Sequence, residues 1–580
     1  MTSFENSRRW ILPLLLTMAV AVYFVNLGAS SIWDANEAFY VETPREMMER
    51  GDYITPTFNY QPRLNKPVLS YWIVAGFYHL FGVSVAVQRI PIALGAMVII
   101  AAAFFLARTA YPTPVRLPSP GPAGTGLPSV ASAKGAALLA GLWAALGLAA
   151  SPRLLMFARR IFIDIYISMF MALTLLFFAL SERYPERRRL FLILMYVSVG
   201  LGVLTKGPAF ALLPGLVFAV YLVVHREVHR AREMLIPAGL LIVAAIVVPW
   251  YAALYQRYGW TYIVSFVLGE NLARYTDGVG VSASRGPLFY LPVVFSDSFP
   301  WSIFLFVAGA AWLAERRRSA ASRGAGYRIR TLLWIWILTI AGFFSLSQAK
   351  QDLYIFPIVP AVAALAGIAI GEAIAEGRRI RAVRFSTGAL AVLVMGLGAA
   401  MLYLFLGSEA VYALRGTRVI GGMGLIGGAI ALLLAARASV RTALAAVVAT
   451  IVAMNWTFVL RVLPSFEAYK PVPGFARVLE ARAGPDDVIA AYNVAVPSLV
   501  YYLRRRIETS YSVDPIRQLI DAKPTVYVIL PREDYDAIRS QSTTPTCIVT
   551  TQPTFDVKLR NILAREALPD LLLITNRCAR

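Results

Sequence analysis

Asp34 and Glu37 stand three residues apart in Ser-Ile-Trp-Asp34-Ala-Asn36-Glu37-Ala-Phe-Tyr40, a spacing that lets two acids face one way on a helical turn. Such a pair can supply a general base or bind a divalent cation. The plainer alternative is a helix N-cap followed by a solvated charge. A third acid, Asp164, follows Arg159 and Arg160 and opens an apolar stretch, where it is either a reacting group or a cap favoured by the helix dipole. The cations are Arg63 and Lys66 in Tyr60-Gln-Pro-Arg-Leu-Asn65-Lys66-Pro67, and Lys206 in Leu204-Thr-Lys-Gly-Pro208. Two more are Arg274, shortly after Glu270-Asn271, and Lys350 in Ser345-Leu-Ser-Gln-Ala-Lys350-Gln-Asp-Leu-Tyr354. Cations beside carboxylates suit an anionic substrate: the cations hold a phosphate while a carboxylate handles a proton or a developing positive centre. The same lysines can instead snorkel to lipid headgroups, and Arg274 can form a solvated ion pair with its neighbours.

The elements that must position these groups are membrane helices. The 580-residue chain is 58% hydrophobic and 15% charged, with a mean hydropathy of +0.63. A soluble chain carries about 25% charged residues. Thirteen stretches approach spanning length: 10–28, 86–107, 135–151, 165–181, 190–205, 207–224, 234–252, 288–313, 331–346, 353–371, 384–407, 419–436 and 441–461. The first reads as a retained helix and not a cleaved signal. The apolar stretch 67–81 is too short to cross and carries aromatic rings and His79, so it reads as an interfacial helix.

Orientation follows from arginine. With the N-terminus inside, every second loop should be basic. Those loops hold Arg108/Arg116/Lys134, Arg183/Arg187–Arg189, Arg226/Arg230/Arg232, Arg316–Arg318 with Arg323/Arg328/Arg330, Arg378/Arg379/Arg381/Arg384 and Arg437/Arg441. The net charge of +22 therefore reports topology and not nucleic acid. The other face collects the 29–85 loop, 159–164, Lys206, the 253–287 loop and 347–352. His225 and His229 fall inside and His79 stands alone, which argues against histidine-held metal.

After about Leu463, short β-rich runs at 487–492, 525–530, 547–551 and 571–575 alternate with helical stretches near 495–503, 514–521 and 532–540. The expected organisation is an all-α polytopic domain over 1–462, with its long outer loop 29–85, followed by a small α/β domain over 463–580 outside the cytoplasm. Cys547 and Cys578 each sit at or near the end of a predicted strand there, either as a disulfide or as two free thiols.

These motifs resemble the GT-C membrane glycosyltransferases, and within them the protein O-mannosyltransferase-like branch that includes the bacterial lipid A aminoarabinose transferases. The resemblance is carried by Asn36-Glu37-Ala-Phe-Tyr-Val-Glu-Thr-Pro-Arg-Glu-Met47, Gly51-Asp52-Tyr53, Asn65-Lys66-Pro67 with Tyr71-Trp72, and Phe81-Gly82. It continues through Asp164, Leu204-Thr-Lys-Gly-Pro208, Glu270-Asn271 with Arg274, Pro300-Trp301, and Phe343 to Ser347 leading to Lys350, Tyr354, Pro357 and Pro360. It implies an inverting transfer of a sugar from a polyprenyl (undecaprenyl) phosphate to a lipid A-like or other envelope acceptor on the periplasmic face of the inner membrane, by a single chain. A protein hydroxyl is the alternative acceptor, and a transporter the alternative class; no internal repeat favours the latter. Asp34, Glu37 and Asp164 are then the catalytic candidates. Arg63, Lys66, Lys206, Arg274 and Lys350 are the phosphate-binding candidates, and Asn36, Tyr40, Asn65, Glu270, Asn271 and Tyr354 line the site. Where the family has Asp-Glu this chain has Asn36-Glu37, and Asn65 replaces a Glu that can assist a metal, so a divalent cation is left open.

Overall fold

The computed structural model describes residues 2–34, 36–111, 130–160, 163–264, 266, 285–318, 326–405, 412–437, 439–554, 563 and 569–578. Glu270, Asn271 and Arg274 lie outside the described residues.

Each of the thirteen apolar stretches is helical, but not each is one straight span. Among the described residues nine helices are long and apolar enough to cross a membrane. Two further stretches are helix pairs apolar enough together for one crossing but sharply bent: Lys134–Ala149 with Pro152–Arg159 at 57°, and Pro287–Asp297 with Trp301–Arg316 at 110°. Prolines mark both breaks. Pro152 starts the second half of one pair behind a Ser151 cap, and Pro300, lacking an N–H, precedes the restart of the other. The remaining two stretches contain the shorter helices Trp10–Ala21 and Ala209–Val224. The stretch kept apart at the sequence level forms Leu69–Phe81. Its thirteen residues rise about 20 Å, short of a hydrocarbon core of about 30 Å.

The deepest helix is Val359–Glu376, buried continuously from Val359 to Ala373. It lies against Val130–Ala149 because small residues let the backbones meet: a Cβ at Gly367 would sit 2.4 Å from the Ala140 carbonyl oxygen. Gly367→Leu is therefore expected to cost about 1–3 kcal/mol or more and reduce the folded yield. Thermal unfolding in detergent checks this, whereas Gly342→Leu, at a position with open space around its Cβ, should be tolerated.

The two ends of the helix bundle differ in charge. At one end the basic loops meet in a network: Arg230 to Glu182 at 2.8 Å, Arg328 to Glu227 at 2.5 Å, Arg188 to Glu233 at 3.1 Å and Arg330 to Glu372 at 2.6 Å. Ile163–Arg183 runs from Asp164 to that network, and Arg188–Lys206 returns from it to Lys206. The chain is a multi-pass membrane protein.

The C-terminal unit is a five-stranded mixed sheet, β3(Val488–Tyr492), β4(Glu508–Ser510), β5(Val526–Pro531), β6(Cys547–Gln552) and β7(Leu571–Thr575), in the order β4-β3-β5-β7-β6. β3 runs parallel to β4 and β5, while β7 is antiparallel to β5 and β6. Helix Pro471–Arg482 covers one face through Phe475 and Leu479. Val513–Ala522 covers the other through Ile516 and Ile520. Cover on both faces is why β3, β5 and β7 read as unbroken apolar runs. Sequence reasoning missed the edge strand β4 and helix Pro471–Arg482: the strand is three residues long, and the helix carries two prolines and a glycine in its first four residues. Cys547 and Cys578 are joined by a disulfide with Cα atoms 5.7 Å apart. A small hairpin, β1(Thr57–Phe58) with β2(Gln61–Pro62), sits in the first long loop.

Candidate active site

Asp34 and Glu37, whose spacing would let them face one way on a helical turn, part company. Helix Asn36–Arg50 begins after Asp34, so Glu37 lies in its first turn and Asp34 outside it. Glu37 is 1% exposed and points inward. Its carboxylate accepts from the Trp33 amide at 2.7 Å and from Arg89 Nε and Nη2 at 2.8 and 3.1 Å. Arg89, also buried, donates onward to the Leu27 and Ser30 carbonyls at 2.7 and 2.8 Å. This pair knots the loop to helix Val85–Thr109. An arginine in the first turns of an apolar span is a cue that sequence reading passed over.

Asp34 turns to the sheet unit instead. The Ser498 amide donates to its Oδ1 at 2.7 Å and the Ser498 hydroxyl to its Oδ2 at 2.6 Å. Asp34 keeps some surface in water, but its carboxyl group sits within the fold. Burial pushes its pKa up to about 6, against the lowering effects of Ser498 and Lys470. Lys470, just ahead of the sheet unit, donates to the Ser31 carbonyl at 2.8 Å and lies 4.1 Å over the Trp33 ring. Burial lowers its pKa to about 8, with Glu467 opposing. Arg160 lies 4.1 Å over Trp33 as well.

The third acid gathers the cations. Asp164 is half-buried in the first turn of Ile163–Arg183, and Lys206 and Lys66 act on it electrostatically, as does Asp352. Lys206 ends its helix and is presented by Gly207, whose φ of 108° no β-carbon-bearing residue adopts readily. Its ammonium lies 5.6 Å over the Tyr354 ring. Tyr40 stacks on Tyr71 with ring centroids 5.6 Å apart, within the fields of Arg63 and Asp164. Arg63 donates to Asn65 Oδ1 at 2.7 Å and lies 4.0 Å over Phe39. Asp164, Lys66, Lys206, Arg63, Tyr40, Asn65 and Tyr354 thus form one constellation drawn from four separate parts of the chain. Lys350 is buried, and its ammonium donates to the Ser347 carbonyl of its own turn. Asn36 is exposed at the start of its helix.

Residues not anticipated complete the surroundings. Arg153 pairs with Asp297 at 3.0 Å and with Asp352. A cavity of about 860 Å³ opens beside them, lined by Arg153, Arg160 and Asp352 at its polar part and by Phe295, Phe299 and Leu397 elsewhere. Among the described residues no group of three or more His, Cys, Asp or Glu is placed to hold a metal ion.

Comparison with known proteins agrees with this architecture. The dolichyl-phosphate-mannose-protein mannosyltransferase family profile matches residues 129–263. The undecaprenyl phosphate-alpha-4-amino-4-deoxy-L-arabinose arabinosyl transferase 1 of Pseudomonas fluorescens (strain Pf0-1) is 28% identical over 62% of this chain and 57% of its own length. The transferase of that kind from Pseudomonas aeruginosa (strain LESB58) is 29% identical over 64% of this chain and 62% of its own. The chain thus spans less than two thirds of the length of these curated relatives. The crystal structure of ArnT from Cupriavidus metallidurans bound to undecaprenyl phosphate superposes with a TM-score of 0.76 at 21% identity, covering 98% of both chains. Its apo state gives 0.73 at 20% identity. The chain has the GT-C membrane fold of ArnT and resembles the undecaprenyl phosphate aminoarabinose transferases in sequence.

Proposed function

We propose that this protein is an inverting glycosyltransferase of the bacterial inner membrane. It moves a sugar from a polyprenyl (undecaprenyl) phosphate to a lipid acceptor on the periplasmic face. The observation that carries the reading is Asp164 lying within the electrostatic fields of Lys206 and Lys66, at the end of its helix away from the arginine network. In the transfer, the acceptor oxygen attacks the anomeric carbon from the face opposite the phosphate. The C–O bond to that phosphate breaks, Asp164 takes the proton from the acceptor's O–H, and the electron pair leaves on the phosphate. Negative charge grows on the phosphate oxygens as the bond breaks, so Lys66 and Lys206 stabilise the transition state more than the ground state. Asp34 and Glu37 are positioning residues here, since each carboxylate is committed to holding the loop.

Sidedness is supported by the basic loops at the opposite end and by a disulfide in the sheet unit, which suits an oxidising compartment. A lipid acceptor is supported by the cavity, which aromatic and leucine side chains line together with Arg153, Arg160 and Asp352. The test is to incubate the purified full chain with defined undecaprenyl phosphate sugars and separate lipid A-type and peptide acceptors. Release of undecaprenyl phosphate with glycosylated lipid is the expected result. Glycosylated peptide alone would overturn the acceptor, and no release with any donor would overturn the enzyme.

A further inference from the structure

The hairpin β1–β2 turns through Asn59 and Tyr60, both left-handed at φ 56° and 59°. Asparagine tolerates that conformation better than most residues. Its side chain also does something a turn does not require. Asn59 Nδ2 donates to the Ile507 carbonyl at 2.8 Å, and the Ile507 amide donates back to Asn59 Oδ1 at 2.8 Å. The amide therefore imitates a strand partner for the residue that leads into β4, the outermost strand of the sheet. Tyr60 adds a second tie, its hydroxyl donating to the Arg504 carbonyl at 3.0 Å while its amide is held by Glu46 at 3.1 Å.

From this tip a series of hydrogen bonds leads to Asn65, the residue before Lys66. The Arg63 amide donates to the Pro56 carbonyl at 2.8 Å, extending the hairpin ladder by one rung, and the Arg63 side chain then holds Asn65, the neighbour of Lys66. The same sheet unit grips the start of the loop through Ser498 on Asp34 and Tyr502 on the Ile32 amide at 3.1 Å.

We propose that the C-terminal sheet unit is a clamp on the substrate loop and that Asn59, through Ile507, is a positioning residue that sets Lys66 against Asp164. The clamp's bearing on donor binding rests on the reading of Lys66 given above, whereas its hold on the loop does not. Asn59→Gly removes the amide yet keeps the left-handed turn at ease, so it isolates the clamp from backbone strain.

Two measurements on the full-length protein in detergent decide the matter. Hydrogen exchange over residues 57–66 should quicken in Asn59→Gly while the membrane helices keep wild-type protection. Affinity for undecaprenyl phosphate should fall about tenfold in Asn59→Gly, appear in KM more than in kcat, and fall no further when Asn59→Gly is added to Lys66→Ala. Unchanged exchange at 57–66 would overturn the clamp outright. Additive losses in the double variant, or normal affinity in Asn59→Gly while Lys66→Ala loses it, would overturn its action through Lys66. Wild-type affinity in Lys66→Ala would instead defeat the phosphate assignment, with exchange alone then deciding the clamp.

Discussion

Lys206→Ala and Asp164→Asn should each remove most sugar transfer from a chain that still inserts and folds. Lys206 ends its helix at Gly207 and lies over Tyr354 close to Asp164. On the proposed reading its ammonium faces the anionic leaving group. A charge-assisted contact is worth about 1.5–3 kcal/mol, so the alanine variant should lose about ten- to a hundredfold in rate. Asp164→Asn keeps the shape and a polar group at the helix start but cannot accept the proton, so its loss should be at least as large. Single-turnover release of undecaprenyl phosphate from a labelled donor measures both. The competing role for Lys206 is anchorage to lipid headgroups, which would lower insertion or stability and leave the turnover of folded protein unchanged.

Glu37→Gln should act on folding before it acts on chemistry. Glu37 and Arg89 are both about 1% exposed, and they bond to each other as well as to the Trp33, Leu27 and Ser30 backbone. Removing one partner of a buried pair leaves the other charge uncompensated, at a cost of about 3–5 kcal/mol. Thermal unfolding in detergent should show a large drop for Glu37→Gln and for Arg89→Met. The double variant should recover part of it, because no lone charge remains. If Glu37→Gln instead keeps wild-type stability and loses transfer, the carboxylate takes part in the reaction and the positioning role assigned to it fails.

These two expectations separate what composition could say from what it could not. Apolar stretch lengths and arginine-rich loops were enough to identify a multi-helix membrane protein, and its short motifs taken together carried the resemblance to the GT-C transferases. The stretches and loops also sorted its polar residues onto one face. The physics there is local and strong: a backbone in lipid must form helices, and cations near the ends of spans report orientation. Strands β3, β5 and β7 of the sheet unit were visible as apolar runs for a similar reason, since both of their faces are covered. Broken spans were less visible, because Pro152 and Pro300 interrupt stretches whose hydropathy continues through them.

Roles within the polar set depended on folding. Asp34 and Glu37 sit three apart in sequence, yet one binds Ser498 and the other Arg89. Those partners lie far along the chain, and no spacing rule brings them in. Lys350, grouped with the other cations by side, is buried on its own turn, while Arg153 and Arg160 line the cavity without having been singled out. Sequence alone determined that apolar spans alternate with basic loops, and it grouped these residues on one face by counting the spans and reading the charges between them. Only the tertiary structure decided which of them meet, because a carboxylate spends its lone pairs on whichever donor the packed helices and the sheet unit bring within about 3 Å.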